Sequence, residues 1–412
     1  MRIAWLMLLF GLALLPATAA DGDPLPLQPF IDLAAAGSVI HLAPGRYRGP
    51  AVIPKPLTLD GGGKARLEGD HHGTVLWVKA SGSVVRGLTI AGSGDSHDGV
   101  DAGILIEGDD QVVEDNVVED VLFGIHLRQV NRSRVARNRV SGRAAPLGER
   151  GDAIRIWNSR DNLIEGNDFF RARDLTFANS PDNRLVGNRL RDARYALHLV
   201  FSPRTVVEGN DIAETGTGIV VLYSPDVVVR NNRIAHALDG GGACIAFKDS
   251  GEGLVEGNTV LHCAVGLQAN APLNDERIIT IRGNRFAHNF TGLSFYGEKG
   301  GHRVLANRFE NNLTQVAVSA AGVAAANVWE ANYWDDYQGF DRDGDGVGDT
   351  PYEIYVFADR IWMETPRAVF FRNSPVLELL DLLERLAPFS SPTLVLRDAR
   401  PVAHGRAQRA LR

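Results

Sequence analysis

Four aspartates near the C-terminal end of the sequence have the spacing of a calcium-binding loop. They lie in the segment DRDGDGVGD, which begins at Asp341. Positions 1, 3, 5, 7 and 9 of such a loop supply oxygen ligands, and here they are Asp341, Asp343, Asp345, Val347 (through its carbonyl) and Asp349. Position 12 is Tyr352 where a bidentate glutamate is usual, and Glu353 comes one residue late. The spacing predicts either a structural calcium site or an aspartate-rich turn closed by Asx hydrogen bonds.

A second group of reactive side chains lies in the segment GSGDSHDGVDAG. It places His97 among Asp95, Asp98 and Asp101. Imidazole and carboxylate groups can act together as general acid and base, which is the chemistry of the exported polysaccharide lyases, hydrolases and epimerases that share β-helical folds. The alternative is a polar loop over a strand, and we favour that interpretation.

A repeat of about 22 residues runs through the middle of the chain and must position these side chains. Its most regular member is an asparagine, which recurs as Asn116, Asn138, Asn167, Asn188, Asn210, Asn232, Asn258, Asn284 and Asn307. Apolar residues alternate with polar ones around it, which indicates short strands. Strands that close one circuit per repeat predict an all-β, right-handed parallel β-helix, and we expect roughly ten to twelve coils.

The repeated asparagine has a structural explanation. Asparagine tolerates the left-handed backbone conformation of a sharp corner. Stacked asparagines can also bond from coil to coil through their amides, as they do in other stacked sheets. We therefore expect these residues to hold the fold and not to take part in catalysis.

The repeat also places other polar residues relative to one another. His126 and His198 fall at the same outward position, three coils apart, with Arg155 and Thr176 between them. Three coils span about 14 Å at the spacing of neighbouring strands, whereas metal–nitrogen bonds are about 2 Å long. One ion therefore cannot bind both histidines, and the column predicts a polar stripe that contacts a partner or a sugar.

The two cysteines, Cys244 and Cys263, belong to neighbouring coils. Their positions within the coil differ by about three residues, which suggests Cα atoms farther apart than the limit of about 7 Å for a disulfide. Export would permit a disulfide, but we favour two separate thiols.

The N-terminal segment MRIAWLMLLFGLALLPATAA, residues 1–20, is typical of a secretory signal peptide. We expect no transmembrane segment in the rest of the chain, since no later apolar run reaches about 18 residues. The net charge of −7 disfavours nucleic acid as a partner. We expect an exported protein with repeats over 21–331, a C-terminal cap over 332–396 and a basic tail over 397–412.

The predicted cap contains two kinds of apolar segment. Tyr333, Trp334 and Tyr337 are suited to plug the open end of the rod. Farther along, Ser374 can cap a leucine-rich helix that Pro388 would end. Such a helix either packs on the cap or contacts a partner.

Four segments at this end carry a resemblance to a known family: NYWDDYQGFDRDGDGVGDTPYEIY, DRIWMETP, FFRNSPVLELLDLLERLAPFS and PTLVLRD. They closely resemble the periplasmic NosD proteins, and the signal peptide, repeats and tail match in order. The resemblance implies a periplasmic accessory protein of nitrous oxide reductase maturation and denitrification. It implies partners as well: an ABC transporter with a NosY-like membrane subunit and a NosF-like ATPase, and a NosL-like chaperone. Together they would deliver copper to the reductase.

The family pattern supplies no copper motif to transfer to this chain. Met363 is the one soft donor in the tail segments, and copper(I) prefers soft ligands and imidazole. We expect any copper at Met363 to share ligands with a partner, although a core position beside Trp362 is the simpler explanation. The resemblance predicts that the protein is not an enzyme. The alternatives are an exported polysaccharide lyase or epimerase, or a carbohydrate-binding β-helix.

Overall fold

The computed structural model describes residues 23–239, 242–270, 278–296, 300–318, 324–356 and 393–403. Over this part of the chain the strands form a right-handed parallel β-helix of about 13 turns, which confirms the predicted fold. The helical elements within it are α1 (Gln28–Leu33) and two 3-10 turns at Leu147–Glu149 and Ala324–Ala326. Within the same residues, no helix has the length and apolar character needed to cross a membrane.

Each complete turn contributes one strand to each of three parallel sheets, with strands numbered in chain order. Sheet one contains β2 (Val39–His41), β9 (Val112–Glu114), β12 (Arg134–Ala136), β15 (Leu163–Glu165), β18 (Arg184–Val186), β20 (Val206–Glu208), β22 (Val228–Arg230), β25 (Leu254–Glu256), β28 (Thr280–Arg282), β31 (Arg303–Leu305) and β34 (Val328–Glu330). Sheet two contains β1 (Leu25–Pro26), β3 (Gly45–Arg48), β10 (Val117–Val121), β13 (Arg139–Gly142), β16 (Asp168–Phe170), β23 (Arg233–Ala237), β26 (Thr259–Leu261), β29 (Arg285–Ala287), β32 (Arg308–Glu310) and β35 (Tyr333–Trp334).

Sheet three contains β4 (Ala51–Ile53), β6 (Leu76–Val78), β8 (Ala102–Ile106), β11 (Phe123–Arg128), β14 (Ile154–Trp157), β17 (Asp174–Ala178), β24 (Ala243–Lys248), β27 (Val265–Asn270), β30 (Thr291–Tyr296) and β33 (Thr314–Val318). Four long strands run around a corner and belong to two sheets: β5 (Thr58–Glu68), β7 (Val84–Ala91), β19 (Arg189–Val200) and β21 (Asp211–Leu222). The chain then forms an antiparallel pair, β36 (Tyr352–Val356) and β37 (Thr393–Asp398).

The core is a column of aliphatic and aromatic side chains inside the three sheets. Alternate residues of each strand point inward, so one coil buries Val207, Ile212 and Ile219 completely. Burial of this continuous column stabilises the fold by about 25 cal/mol per Å² of apolar surface removed from water.

The repeated asparagines form a buried ladder, as predicted. At each step, an asparagine accepts two hydrogen bonds from the one before it: the Asn188 backbone N–H and side-chain Nδ2 both donate to Asn210 Oδ1, at 2.8 and 3.1 Å. Asn210 Nδ2 in turn donates to the Leu185 carbonyl at 3.0 Å. The ladder thus satisfies backbone groups that the corner leaves out of the sheets.

The conformational explanation of the asparagine was wrong. The left-handed residue at the corner is the one just before it, such as Asp115 (φ 56°), Arg137 (φ 52°) or Gly187 (φ 63°). The ladder asparagine keeps an ordinary negative φ because its side chain must turn inward to bond along the rod.

The two ends of the rod are closed differently. At the N-terminal end, α1 covers the core with the fully buried Ile31. At the C-terminal end, the rings of Phe309, Trp334 and Tyr352 stack with centroids 4.3 and 4.4 Å apart. Asn332 adds a further rung to the ladder, and it donates through its backbone N–H and its Nδ2 to Asp398 Oδ2, at 3.0 and 2.9 Å. A carboxylate on the last strand therefore ends the asparagine ladder.

Candidate functional site

The aspartate loop brings three of its predicted ligands together. Carboxylate oxygens of Asp341, Asp343 and Asp345 lie within 4.8 Å of one another. Asp349 instead accepts a hydrogen bond from the Arg342 backbone N–H at 2.9 Å. The Val347 backbone is held by a bridge to Val402.

The same carboxylates also make the alternative, Asx-type contacts. Asp341 accepts from the backbone N–H groups of Gly344 and Gly346, at 2.7 and 2.9 Å, and Asp345 accepts from that of Val347 at 2.7 Å. Tyr352, at position 12, is mostly buried, and its hydroxyl donates to Asp336. Tyr352 therefore supplies no ligand, and calcium binding stays a prediction.

The group around His97 does not form a proton-transfer set within the described chain. The exposed His97 ring contacts Phe123 edge-on, with centroids 5.8 Å apart. Asp95 is paired with Arg143, and Asp101 accepts the Ser96 backbone N–H at 3.0 Å. These contacts agree with the favoured interpretation of this segment as a polar loop.

The polar stripe is present in the predicted register. His126 pairs with Arg155, Arg155 with Thr176, and Thr176 with His198 on successive strands of sheet three. His126 is only 5 % exposed, and among the described residues its Nε2 has no hydrogen-bond partner. Burial, followed by the charges of Arg155 and Arg128, lowers the pKa of His126 to about 4. The His126 ring is therefore neutral at pH 7, and burial also lowers the pKa of His198.

Buried carboxylates beside the stripe engage its arginines. Asp152 and Asp174 are almost fully buried, and burial raises the pKa of Asp152. Asp152 lies 3.2 Å from Arg173 and 3.5 Å from Arg155, while Asp174 pairs with Arg194. These cations are held by carboxylates of the protein itself.

The expectation of two separate thiols was wrong. Cys244 and Cys263 form a buried disulfide with Cα atoms 5.9 Å apart. The predicted offset of three residues is present: the neighbouring pairs Ala243↔Val265 and Ile245↔Leu267 place Cys244 opposite Gly266, which comes three residues after Cys263. Cys263, however, lies in the bend between β26 and β27, and this bend brings Cys263 close to Cys244. An estimate along a straight strand therefore exaggerates the distance.

Three further histidines form a group that the sequence analysis did not single out. His236, His262 and His288 occupy the same corner of three successive coils, each four positions after a ladder asparagine. Their rings stack with centroids 5.3 and 5.2 Å apart and interplanar angles of 3° and 11°. We call these three residues the histidine ladder. Following the repeat register to this position would have found it.

The histidine ladder is exposed and electrostatically coupled. All three residues have left-handed backbones, with φ of 59°, 53° and 56°, so the rings leave the rod in one direction. Partial burial, together with the adjacent His236 and His288, lowers the pKa of the middle ring, His262. The same corner is occupied by Glu214 in the preceding coil and by Asn311 in the following coil.

Some predicted features lie outside the described residues. They are the signal peptide, Met363, the leucine-rich helix after Ser374 and all but the first part of the basic tail.

Comparisons with known proteins agree with the resemblance. Residues 136–339 match the family described as "Periplasmic copper-binding protein (NosD)". The chain is 30% identical over 409 residues to the "Probable ABC transporter binding protein NosD" of Pseudomonas aeruginosa strain PAO1, covering 96% of this chain and 94% of the relative.

Two solved structures of similar fold are polysaccharide-modifying enzymes. The A-module of the Azotobacter vinelandii mannuronan C-5 epimerase AlgE6 has a TM-score of 0.58 at 15% identity, covering 73% of this chain and 93% of that one. A mannuronic acid specific polysaccharide family 6 lyase from human gut microbiota has a TM-score of 0.53 at 14% identity, covering 74% and 81%. At identities of 14–15% the similarity to these enzymes concerns the fold alone. The match to the Pseudomonas aeruginosa relative, in contrast, is a match of sequence over almost the whole chain. The chain therefore belongs to the NosD family, whose members are described as periplasmic copper-binding proteins.

Proposed function

We propose that this chain is a periplasmic β-helical subunit that acts with an ABC transporter and a copper chaperone to deliver copper to nitrous oxide reductase. The observation that carries the proposal is the match over 96% of the chain to a relative named as an ABC transporter binding protein, in a family described as copper-binding. Copper is cargo in this proposal and not a resident cofactor. The partners are a NosY-like membrane subunit, a NosF-like ATPase, a NosL-like chaperone and the reductase itself.

The donor groups of the chain support a carrier that shares copper with its partners. Both cysteines are joined in the disulfide, and within the described residues imidazole is then the side-chain donor that suits copper best. A protein that passes an ion on needs ligands that release it, and a few exposed imidazoles meet that need. Met363 stays a proposed ligand that a partner would complete.

We also propose that the protein is not an enzyme. A lyase or epimerase acting on uronates needs a base, an acid and a cation free to neutralise the substrate carboxylate. His97 contacts a phenyl ring, and the arginines beside the polar stripe are paired with Asp152 and Asp174. These contacts favour a scaffold over the enzyme or carbohydrate-binding alternative.

The test is the copper content and visible spectrum of nitrous oxide reductase matured with and without this protein. The transporter and chaperone genes are held constant, and a plasmid copy of the wild-type gene serves as the control. We expect reductase that lacks copper in at least one of its centres only when this chain is missing. Reductase that fills normally without it would refute the proposal, and acidic polysaccharides would then be screened as ligands.

A further inference from the structure

The proposed function calls for exposed imidazoles but assigns none, and the ordered imidazoles of the histidine ladder lie exposed at adjacent corners. The histidine ladder spans β23, β26 and β29 and their corners, whose pairing sets the ring spacing. The spacing follows from the fold, because successive coils lie about 4.8 Å apart. Stacking alone would explain parallel rings. It gives no reason for histidine at three successive corners where neighbouring coils carry Glu214 and Asn311.

The distances within the ladder suit a metal ion held between neighbouring rings. Two nitrogens that share one ion lie about 4 Å apart, since each metal–nitrogen bond is about 2 Å long. The ring centroids are 5.2 and 5.3 Å apart, and exposed side chains change rotamer readily. Rotation of two neighbouring rings out of the stack, so that one nitrogen of each points toward the other, therefore brings these nitrogens to this separation.

The same distances favour pairs of neighbouring rings over one site made of all three. His236 and His288 are two coils apart, about 10 Å at the strand spacing, so both rings would have to lean toward His262 to share a single ion. The ladder instead contains two overlapping pairs, His236–His262 and His262–His288. The middle ring belongs to both pairs, and an ion can move along the rod by exchanging one outer ring for the other.

We infer that the histidine ladder is a surface site for copper(I), bound between the imidazoles of His262 and either neighbour. The choice of metal rests on the proposed function, but the site itself rests on the stacked geometry. Copper(I) is satisfied by two nitrogen ligands in a line, and imidazole is among its preferred donors. Zinc takes four ligands in most protein sites, so a pair of imidazoles supplies only half of its coordination sphere.

Exposure of the ladder fits a site that exchanges copper with another protein. Two-coordinate copper(I) leaves room for a third ligand from an incoming partner, so transfer can proceed through a shared intermediate without free ion. Glu214 continues the same column of corners and adds a carboxylate next to His236. A positively charged ion is therefore favoured at this end of the ladder.

The test is a copper(I) titration of the mature full-length protein, without a histidine tag, against a chromophoric copper(I) chelator. The variants are His236→Asn, His262→Asn and His288→Asn. Asparagine keeps the left-handed corner, as Asn311 does one coil later (φ 53°). His71→Asn is the matched control, because His71 is exposed, left-handed (φ 62°) and outside the ladder. Circular dichroism confirms that each variant is folded.

The losses of copper(I) affinity in the three variants should show that His262 belongs to both pairs. His262→Asn should weaken copper(I) binding by at least about tenfold, since even groups that only orient a metal ligand contribute about 10–100-fold in affinity. Each outer variant retains one of two pairs, so mass action predicts a loss of only about twofold. His71→Asn should bind as the wild type does, and zinc should bind the wild type more weakly than copper(I).

Three results would overturn the assignment: wild-type protein that binds no copper(I), a His262→Asn variant that binds it as well as the wild type, or an equal loss in His71→Asn. Each is distinguishable from failure of the proposed function, because the titration uses the purified chain alone. The maturation assay measures the reductase in cells, so either can fail while the other succeeds.

Discussion

The end of the asparagine ladder offers a direct test of how the rod is closed. Asp398, fully buried on β37, accepts hydrogen bonds from the Asn332 backbone N–H, Asn332 Nδ2 and Trp334 Nε1 through one oxygen, at 3.0, 2.9 and 3.2 Å. Its other oxygen accepts from the Arg400 N–H at 3.1 Å. We predict that Asp398→Ala weakens the attachment of the β36–β37 pair to the rod.

The magnitude follows from the donors left without an acceptor. Asn332 Nδ2 keeps a second bond, to the Val304 carbonyl at 2.9 Å. The Asn332 backbone N–H and the Trp334 indole N–H would each cost about 1–3 kcal/mol when buried and unpaired. Removing a buried carboxylate recovers part of its desolvation cost, so the net loss should be about 3 kcal/mol. Asp398→Asn retains one acceptor oxygen and should lose less, because asparagine can continue the ladder.

Amide hydrogen exchange measured by mass spectrometry is the suitable assay, since repeat proteins open locally. A loss of about 3 kcal/mol corresponds to exchange roughly a hundred times faster at 1.36 kcal/mol per tenfold change. It should be confined to β35, β36 and β37, while β18 and β20 stay protected. Arg397→Ala is the control: this exposed residue lies 3.5 Å from Glu353, and such surface pairs contribute about 0–1 kcal/mol. Unchanged protection in Asp398→Ala, or equal loss along the rod, would refute the reasoning.

Three further predictions concern other parts of the rod. Replacing both Cys244 and Cys263 with alanine should lower the free energy of unfolding by about 3 kcal/mol, as expected for a loop of this length; an unchanged denaturation midpoint would argue against the bond. His302 accepts the Ile279 N–H through Nδ1, and burial lowers its pKa to about 4. Because this value lies below the unfolded value of 6.5, protonation favours the unfolded chain. The contribution of His302 to the free energy of unfolding is thus fully present above pH 6.5 and falls by about 3 kcal/mol toward pH 4. Urea titrations at each pH should show a smaller dependence on pH in His302→Gln. Calcium at millimolar concentration should raise the melting temperature, and Asp343→Ala should abolish the increase; the same melting temperature with calcium and with a chelator would favour the Asx turn.

The repeat made much of this structure predictable. A fixed register turns positions along the chain into columns along the rod, so the neighbours of His126 and His198 were correctly placed from spacing alone. The asparagine ladder was predictable for the same reason, because every rung repeats one hydrogen-bond pattern. The histidine ladder obeys this logic as well, and its signal is present in the sequence at the fourth position after the asparagine.

Features that depend on corners or on distant segments were not predictable. Cys244 and Cys263 meet because a bend shortens their separation, and residue counting assumes extended strands. Asp398 closes the ladder of Asn332 although 66 residues separate them, and no repeat links the two. The aspartate loop can make both Asx contacts and ion contacts with the same oxygens, so its spacing alone does not decide between them.

The antiparallel pair β36–β37 has a consequence for how this protein can be dissected. Val356 lies opposite Thr393, so the chain that continues beyond β36 returns about 5 Å away, the usual separation of paired residues. Residues 357–392 are therefore an insertion whose two ends meet, and a two-residue Asn-Gly turn is enough to join them. Excising residues 357–392 removes neither Asp398, nor the stacked rings, nor any strand of the coils from the chain. The rod can therefore be studied with this segment replaced by a short turn, by comparing the stability of the shortened chain with that of the full one.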